Sequence, residues 1–521
     1  MDENVMRLSE PRKKGLVHLV FSRFFLIVIL LAVQIALVIS FNFWLKDLLR
    51  FYSLVMAILT ICGVVYLFSC KMDSSAKLTW MLIIALLPIT GVALLFFTRS
   101  NYGHRKVKRR VEELIECSSN AIGQPEGVLE KLSADPSGTD DLNHYLMRGN
   151  CFPIYDKTKT TYYPLGEKMF ADMLEDLKKA EKFIFLEFFI IDEGYMWGSI
   201  LKILADKAKA GVDVRVSYDG MLEVSTLPPD YYKLLEEHGI KAKCFAPIRP
   251  LVSSHYNYRD HRKILVIDGK VAYTGGVNLA DEYINRRERF GHWKDVGLRV
   301  KGEAVRSFTL LFLQMWNITE KMPEFEPWVS ADPGIPEAEE GFVMPFGDCP
   351  LDDDKVGEMV YMDIFNRAVD YVHVMTPYLI LDGELETSIK FAAERGVDVK
   401  LILPGIPDKK VAYALAKSHY KRLLDSGVEV YEYIPGFVHA KVFTSDDKKA
   451  VVGTINLDYR SLYHHYECAV YLYKTACIPD IERDFQETLG KCRKVTYESI
   501  RKEKLYYKVM GKLLQFVAPM M

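Results

Sequence analysis

The sequence predicts an α/β protein built from two similar tandem halves behind an apolar N-terminal region. Three observations predict it. First, a helical segment closing on a glycine and running into a short β-branched stretch occurs twice. It is "AGVDVRVSYDG" from Ala210 to Gly220 and "RGVDVKLILPG" from Arg395 to Gly405. Second, a longer stretch is echoed at a similar offset, "HRKILVIDGKVAYTGGVNL" from His261 and "HAKVFTSDDKKAVVGTINL" from His439. Third, the first hundred residues carry uncharged apolar runs long enough to cross a bilayer core.

The N-terminal region is expected over residues 1–110, with apolar runs at 24–45, 51–70 and 78–98. Membrane helices tolerate the Pro88 and Gly91 of the third run. Basic residues flank the set: Arg7, Arg12, Lys13, Lys14 and Arg23 before it, Arg99, Arg105, Lys106, Lys108, Arg109 and Arg110 after it. Both clusters suit the cytoplasmic face. Three full crossings cannot place both there, so either the N-terminus faces outward or one run lies in the interface. The expectation is a multi-pass protein of the cell membrane with its catalytic part in the cytoplasm.

The soluble part reads as a first half over 111–325, a Pro-, Glu- and Asp-rich connection over 326–356, and a second half over 357–500. "FADMLEDLKKAEKFIFLEFFIID" leads the first half and "YMDIFNRAVDYVHVMTPYLI" the second, each a helix followed by a strand. Strands alternating with helices imply a mainly parallel or mixed sheet. Residues 501–521 carry Lys504, Lys508 and Lys512 at helical spacing, interleaved with Leu505, Val509, Leu513 and Phe516. They read either as an amphipathic helix on an anionic membrane surface or as a final helix docked on the protein.

Length and composition narrow the function classes. A chain of 521 residues exceeds a single core. A formal net charge of -2 argues against a nucleic-acid binder. Nine cysteines without metal-ligand spacing read as thiols in a reducing compartment. No Walker-type or Rossmann glycine loop is present, so neither a metal nor a cofactor is expected.

The chemistry concentrates in the echoed stretch. On a strand, His261 and Lys263 project to one face, as do His439 and Lys441. Asp268 and Asp446 belong to the repeated pattern and count with the catalytic set. Asp268 nevertheless lies an odd number of positions from both His261 and Lys263, in an Asp-Gly turn, which favours bonding to backbone amides; Asp446 should behave likewise. A reacting imidazole needs a carboxylate on its other nitrogen. Asp295 and Glu467, at equivalent places of the repeat, are the candidates, Asp295 for the first half and Glu467 for the second. Asn278 and Asn456 follow the turns "GGVN" and "GTIN" and could donate to a phosphoryl oxygen. Two histidines, two lysines and two asparagines would suit a tetrahedral phosphoryl group, with one imidazole attacking and the other protonating the leaving oxygen. His464 and His465 read as rim residues, one of which could contact substrate, and His255 and His292 could do the same.

HxKx4Dx6GGxN at His261, Lys263, Asp268, Gly275, Gly276 and Asn278, and HxKx4Dx6GTxN at His439, Lys441, Asp446, Gly453, Thr454 and Asn456, resemble the paired motifs of the phospholipase D superfamily. Within it, "NYRDHRKILVIDG", "GFVHAK" and "GTINLDYRS" resemble the bacterial cardiolipin synthases. The resemblance implies two phospholipase D-like α/β/α halves sharing one site. It also implies a phosphohistidine intermediate and phosphatidylglycerol as substrate, with glycerol leaving and a second phosphatidylglycerol accepting. Anionic membrane lipids are further implied partners. By analogy His261 is the nucleophile and His439 the acid, an order that the residues alone leave open. A phospholipase D-type hydrolase, or a transferase to another alcohol, is the alternative. Thr454 departs from the usual serine but keeps a hydroxyl. The third apolar run exceeds the two spans expected of the family.

Overall fold

A computed structural model describes residues 5–9, 36, 40, 49–99, 104–118, 120–135, 137–150, 152–247, 258–336, 339–352, 354–516 and 518–520. The first half supplies β1 (Thr158–Tyr163), β2 (Phe183–Phe188), β3 (Asp213–Asp219), β4 (Lys241–Phe245), β5 (Arg259–Asp260), β6 (Lys263–Ile267), β7 (Val271–Gly275), β8 (His292–Lys294) and β9 (Gly297–Gly302). The second supplies β10 (Phe342–Asp348), β11 (Tyr371–Met375), β12 (Asp398–Pro404), β13 (Glu429–Tyr433), β14 (Gly436–Val438), β15 (Val442–Ser445), β16 (Lys449–Gly453), β17 (His465–Tyr473) and β18 (Cys492–Lys494).

The two sheets repeat one topology. The first runs β1-β9-β7-β6-β2-β3-β4 and the second β10-β17-β16-β15-β11-β12-β13-β18. The expected helix-to-strand echo is where the parallel ladders form, β2–β3–β4 and β11–β12–β13. The crossover helices Tyr195–Lys209 and Gly383–Glu394 each stop just before a glycine, Gly211 at φ +91° and Gly396 at φ +97°. A left-handed glycine ends a helix without a Cβ penalty and turns the chain into the next strand. Every residue of β2, β6, β16 and β17 is buried, as expected of strands covered on both faces.

Two short parallel ladders tie the halves together, β5 with β17 and β8 with β14. Side chains reinforce the join. Lys294 Nζ donates to both oxygens of Asp484 at 2.9 and 2.7 Å, and the Tyr162 hydroxyl donates to Asp484 at 2.6 Å. The largest buried apolar cluster takes residues from both halves, so the interface is core and not a seam.

The expected boundaries need redrawing. The connection 326–356 contains a helical turn, Glu326–Val329, and β10, the edge strand of the second sheet. The helix Thr139–Asn150, expected with the first half, packs on that edge: Thr139 Oγ1 lies 3.4 Å from the Tyr471 hydroxyl in β17. Composition marked 326–356 as polar, but β10 gains its ladder from β17, which lies far along the chain.

In the N-terminal region the run 24–45, apart from residues 36 and 40, lies outside the described residues. Among the described residues one helix, Phe51–Ser69 within Leu49–Ser69, is long and apolar enough to cross a membrane. The third run is not a single span. It breaks into helices Ser74–Leu86 and Pro88–Arg99, because Pro88 has no N–H for the ladder. The two pieces pack closely; a Cβ on Gly91 would stand 2.9 Å from Ile84 Cα. Residues 5–9 reach back to the first half, with Met6 N donating to Gly198 O at 3.0 Å. The C-terminal segment docks on the protein, one of the two readings the sequence allowed. Helix Leu505–Gln515 seats Gly511 against the helix Lys410–Asp425, while Leu505, Tyr506, Val509 and Leu513 remain exposed. Beyond its end, Phe516 O accepts from Thr79 of the helical hairpin at 2.7 Å.

Candidate active site

The two inter-half ladders decide which groups meet. In the first, His465 lies opposite Arg259 and Tyr466 opposite Asp260, so the next pair is Glu467 with His261. In the second, His292 lies opposite Gly436 and Lys294 opposite Val438, so the next pair is Asp295 with His439. Each histidine is pinned by its backbone in the same way. His261 N donates to Tyr466 O at 2.9 Å and His439 N to Lys294 O at 2.7 Å.

The side chains follow. His261 Nδ1 lies 2.9 Å from both oxygens of Glu467, and His439 Nδ1 lies 2.6 Å from Asp295 Oδ2. Both expected carboxylates are therefore brought to histidines, but the pairing is crossed. The within-half assignment is corrected: each imidazole takes its carboxylate from the other half. The reason is parallel register, which levels the residues following β8 and β14, and those following β5 with those in β17.

His261 and His439 sit just before β6 and β15, not within them, and both are buried. Lys263 Nζ donates to His261 O at 2.6 Å. Lys441 Nζ donates to His439 O and lies 2.9 and 3.0 Å from the two ring nitrogens. Lysine and histidine therefore share a side, as alternation required.

Electrostatics set the resting protonation. Burial holds His261 well below its ordinary pKa despite Glu467, and lowers His439 to about 4 with help from Lys441. Burial also lowers Lys263 to about 8 and Lys441 to about 7, against the pull of Glu467 and Asp295 respectively. Burial alone would raise the two carboxyls, but the histidines and their hydrogen bonds outweigh it and hold Asp295 and Glu467 below their usual range. The resting site thus has ionised carboxylates and neutral imidazoles. Each Nδ1–H is given to a carboxylate, which leaves the Nε2 lone pair as the reactive one.

The other expected site residues fall in different places. Asp268 accepts from Glu181, Lys182 and Phe183 amides at 2.8, 2.7 and 2.9 Å. Asp446 accepts from Val369, Asp370 and Tyr371 amides, each at 2.9 Å. Their inclusion in the catalytic set is corrected. Both fix the start of the neighbouring strand, β2 or β11, as parity argued. Asn278 is committed to the fold: its Oδ1 accepts from Ile190 N at 3.0 Å and its Nδ2 donates to the Tyr283 hydroxyl at 2.8 Å. Asn456 differs, with a buried Oδ1 that has no hydrogen-bond partner among the described residues. His292 lies 3.1 Å from the Tyr433 hydroxyl, and His255 lies outside the described residues.

Three features escaped the sequence reading. Thr454 donates its hydroxyl to Glu467 Oε2, and the equivalent Gly276 leaves room for Asp295, whose Oδ1 would lie 2.0 Å from a Cβ there. Tyr283, Trp293 and Phe437 surround His439 at ring-centroid distances of 5.4, 5.6 and 5.9 Å. His465 is buried, not at the rim, with its ring 5.5 Å from that of His261. Aligning the halves would have found the last two, since Trp293 and His465 each precede an orienting carboxylate by two residues.

Comparison with known proteins agrees with this geometry. Residues 173–316 and 361–489 match the family described as "Cardiolipin synthase, PLD-like domain". A protein of Streptococcus mutans named only "Uncharacterized protein" is 55% identical over 88% of this chain and 99% of its own. The cardiolipin synthase of Geobacillus kaustophilus is 30% identical over 96% of this chain and 99% of its own, and that of Halalkalibacterium halodurans 29% over 96% and 100%. The crystal structure of a phosphatidylserine synthase from Haemophilus influenzae has a TM-score of 0.55 at 16% identity, covering 73% of this chain and 97% of that one, a likeness of fold. With two phospholipase D-like repeats facing each other across crossed His–carboxylate pairs, the chain belongs to the cardiolipin synthase family of the phospholipase D superfamily and is a phosphatidyltransferase acting on phospholipids.

Proposed function

We propose that the enzyme joins two phosphatidylglycerol molecules into cardiolipin and releases glycerol through a phosphohistidine. The observation that carries this is the pair of buried neutral imidazoles, each with Nδ1 on a carboxylate and a lysine beside it. His261 Nε2 attacks phosphorus of the first lipid. The N–P bond forms, the P–O bond to glycerol breaks, and His439, which takes up a proton at Nε2 as the anionic diester binds beside it, gives that proton to the departing oxygen. Neutral His439 then takes the proton from the hydroxyl of a second phosphatidylglycerol. That oxygen attacks phosphorus, the N–P bond breaks, and His261 is regenerated. Lys263 and Lys441 offset the charge of the diester, and Glu467 and Asp295 stabilise each imidazolium as it forms. The order of the two histidines rests on the family resemblance.

Membrane location follows the same reading. The helix Phe51–Ser69, the basic flanks and the exposed apolar face of the C-terminal helix support a cell-membrane enzyme with cytoplasmic catalytic halves. Contact between residues 5–9 and the first half supports an even number of crossings between them. That reading removes the conflict between the two basic clusters, with the broken third run lying at the interface. The net charge of -2 supports lipid over nucleic-acid partners.

Purified protein in phosphatidylglycerol vesicles should release glycerol and accumulate a four-chain lipid, with turnover unchanged by excess EDTA. Phosphatidic acid as the only product would replace the transferase reading with a hydrolase.

A further inference from the structure

His465 is a buried imidazole, and among the described residues neither ring nitrogen has a hydrogen-bond partner. Its Nδ1 stands 3.7 Å from Glu467 Oε1, beyond hydrogen-bond reach. Glu467 is already engaged by His261 and Thr454. A buried polar ring without a partner is costly to keep, and it is normally explained by a group that arrives later. His465 and Glu467 alternate onto one face of β17, so the ring shares the face that meets His261. Phe189 closes the other side, 4.9 Å from the His261 ring and 6.4 Å from the His465 ring.

The equivalent position in the first half holds Trp293, whose buried indole nitrogen, beside His439, also has no hydrogen-bond partner among the described residues. Both halves thus bring a ring N–H to the same place next to a motif histidine. The fold therefore reserves this position for a donor, while imidazole adds an acceptor that indole lacks.

We propose that His465 is a third substrate-binding imidazole, donating a ring N–H to a non-bridging oxygen of the phosphodiester held between the two motif histidines. The inference rests on the phosphodiester reading of the site, not on the identity of the acceptor alcohol. His465 touches substrate oxygen; it neither attacks phosphorus nor moves a proton.

The test uses the full chain in detergent, with inorganic phosphate as the calorimetric probe and phosphatidylglycerol turnover as the second readout. His465→Phe should raise the Kd for phosphate and the KM for lipid about tenfold each, with kcat within about threefold, as expected for a lost ground-state hydrogen bond. His465→Asn, which keeps a shorter donor, should fall between the two. If the phenylalanine variant does not fold, the asparagine variant alone should still raise both constants at an unchanged melting temperature. Kd and KM within twofold of wild type in folded variants would overturn the inference. A wild-type chain that binds phosphate through His465 but makes no cardiolipin would keep the inference and sink the proposed reaction. A wild-type chain that binds no phosphate would sink both.

Discussion

The two corners where the halves meet place the same groups by unlike means. Register equates Arg259, Asp260 and Arg262 with Phe437, Val438 and Ala440, and Glu187 and Asp219 with Met375 and Pro404. At the first corner the support for the histidine is ionic and buried. Arg262 Nε donates to Glu187 at 2.7 Å, and Arg259 donates to Asp219 at 3.2 Å. At the second corner it is apolar, with the Phe437 ring tilted against those of Trp293, Tyr378 and Phe290. What both retain is a parallel ladder ending level with a histidine and a carboxylate. The difference teaches that register is the constrained quantity and the supporting chemistry is free to vary. The carboxylates differ in the same spirit: the longer Glu467 is steadied by Thr454, while the shorter Asp295 needs the space left by Gly276.

The comparison can be broken most severely at the histidines. His261→Ala and His439→Ala should each lower kcat by about 10^4-fold or more, because the groups act as a unit. Substantial turnover in either variant would refute a shared site. Next come the crossed carboxylates. Glu467→Gln and Asp295→Asn should each cost about 10^2- to 10^4-fold in kcat by misorienting the imidazole tautomer. A double-mutant cycle on melting free energy sharpens the assignment: His261→Ala should couple strongly to Glu467→Gln and add independently to Asp295→Asn. The reverse pattern would restore within-half pairing.

A smaller effect is expected at the first motif. Gly276→Ala drives a methyl into Asp295 and should destabilise the fold by about 1–3 kcal/mol while reducing activity, read by melting temperature and initial rate. The pH profile of kcat/KM tests the lysines. Lys441 near 7 and Lys263 near 8 lose charge as pH rises, so activity should fall on the alkaline side from about pH 7. In the free enzyme His439 stays neutral down to about pH 4, where it gains its proton. Bound diester favours charged lysine, so the alkaline limb of kcat should lie higher than that of kcat/KM. The least perturbing change is Thr454→Ser, which keeps the hydroxyl on Glu467 and should stay within about threefold of wild type in kcat.

Local pattern made much of this legible. The glycine-capped crossovers, the duplicated motif, the shared side of histidine and lysine, and the structural duty of Asp268 and Asp446 all follow from periodicity and parity within a few residues. The crossed pairing did not, because it depends on β5 and β8, strands of two and three residues whose partners lie in the other half. Strands so short carry no alternation to read. The membership of β10 in the second sheet was hidden for the same reason, its identity residing in β17. Asn278 looked like a ligand because a glycine turn precedes it; only the fold reveals that Ile190 and Tyr283 already occupy its amide.

The crossing of carboxylates has a consequence for the newly made chain. A ribosome that has synthesised everything through the first motif has made His261 without the group that orients it, because Glu467 is 206 residues further on. The second histidine, by contrast, emerges with its carboxylate already made 144 residues earlier. Phosphodiester chemistry is therefore withheld until nearly the whole polypeptide has emerged and its halves have docked, and an abandoned fragment would be inert toward phospholipids.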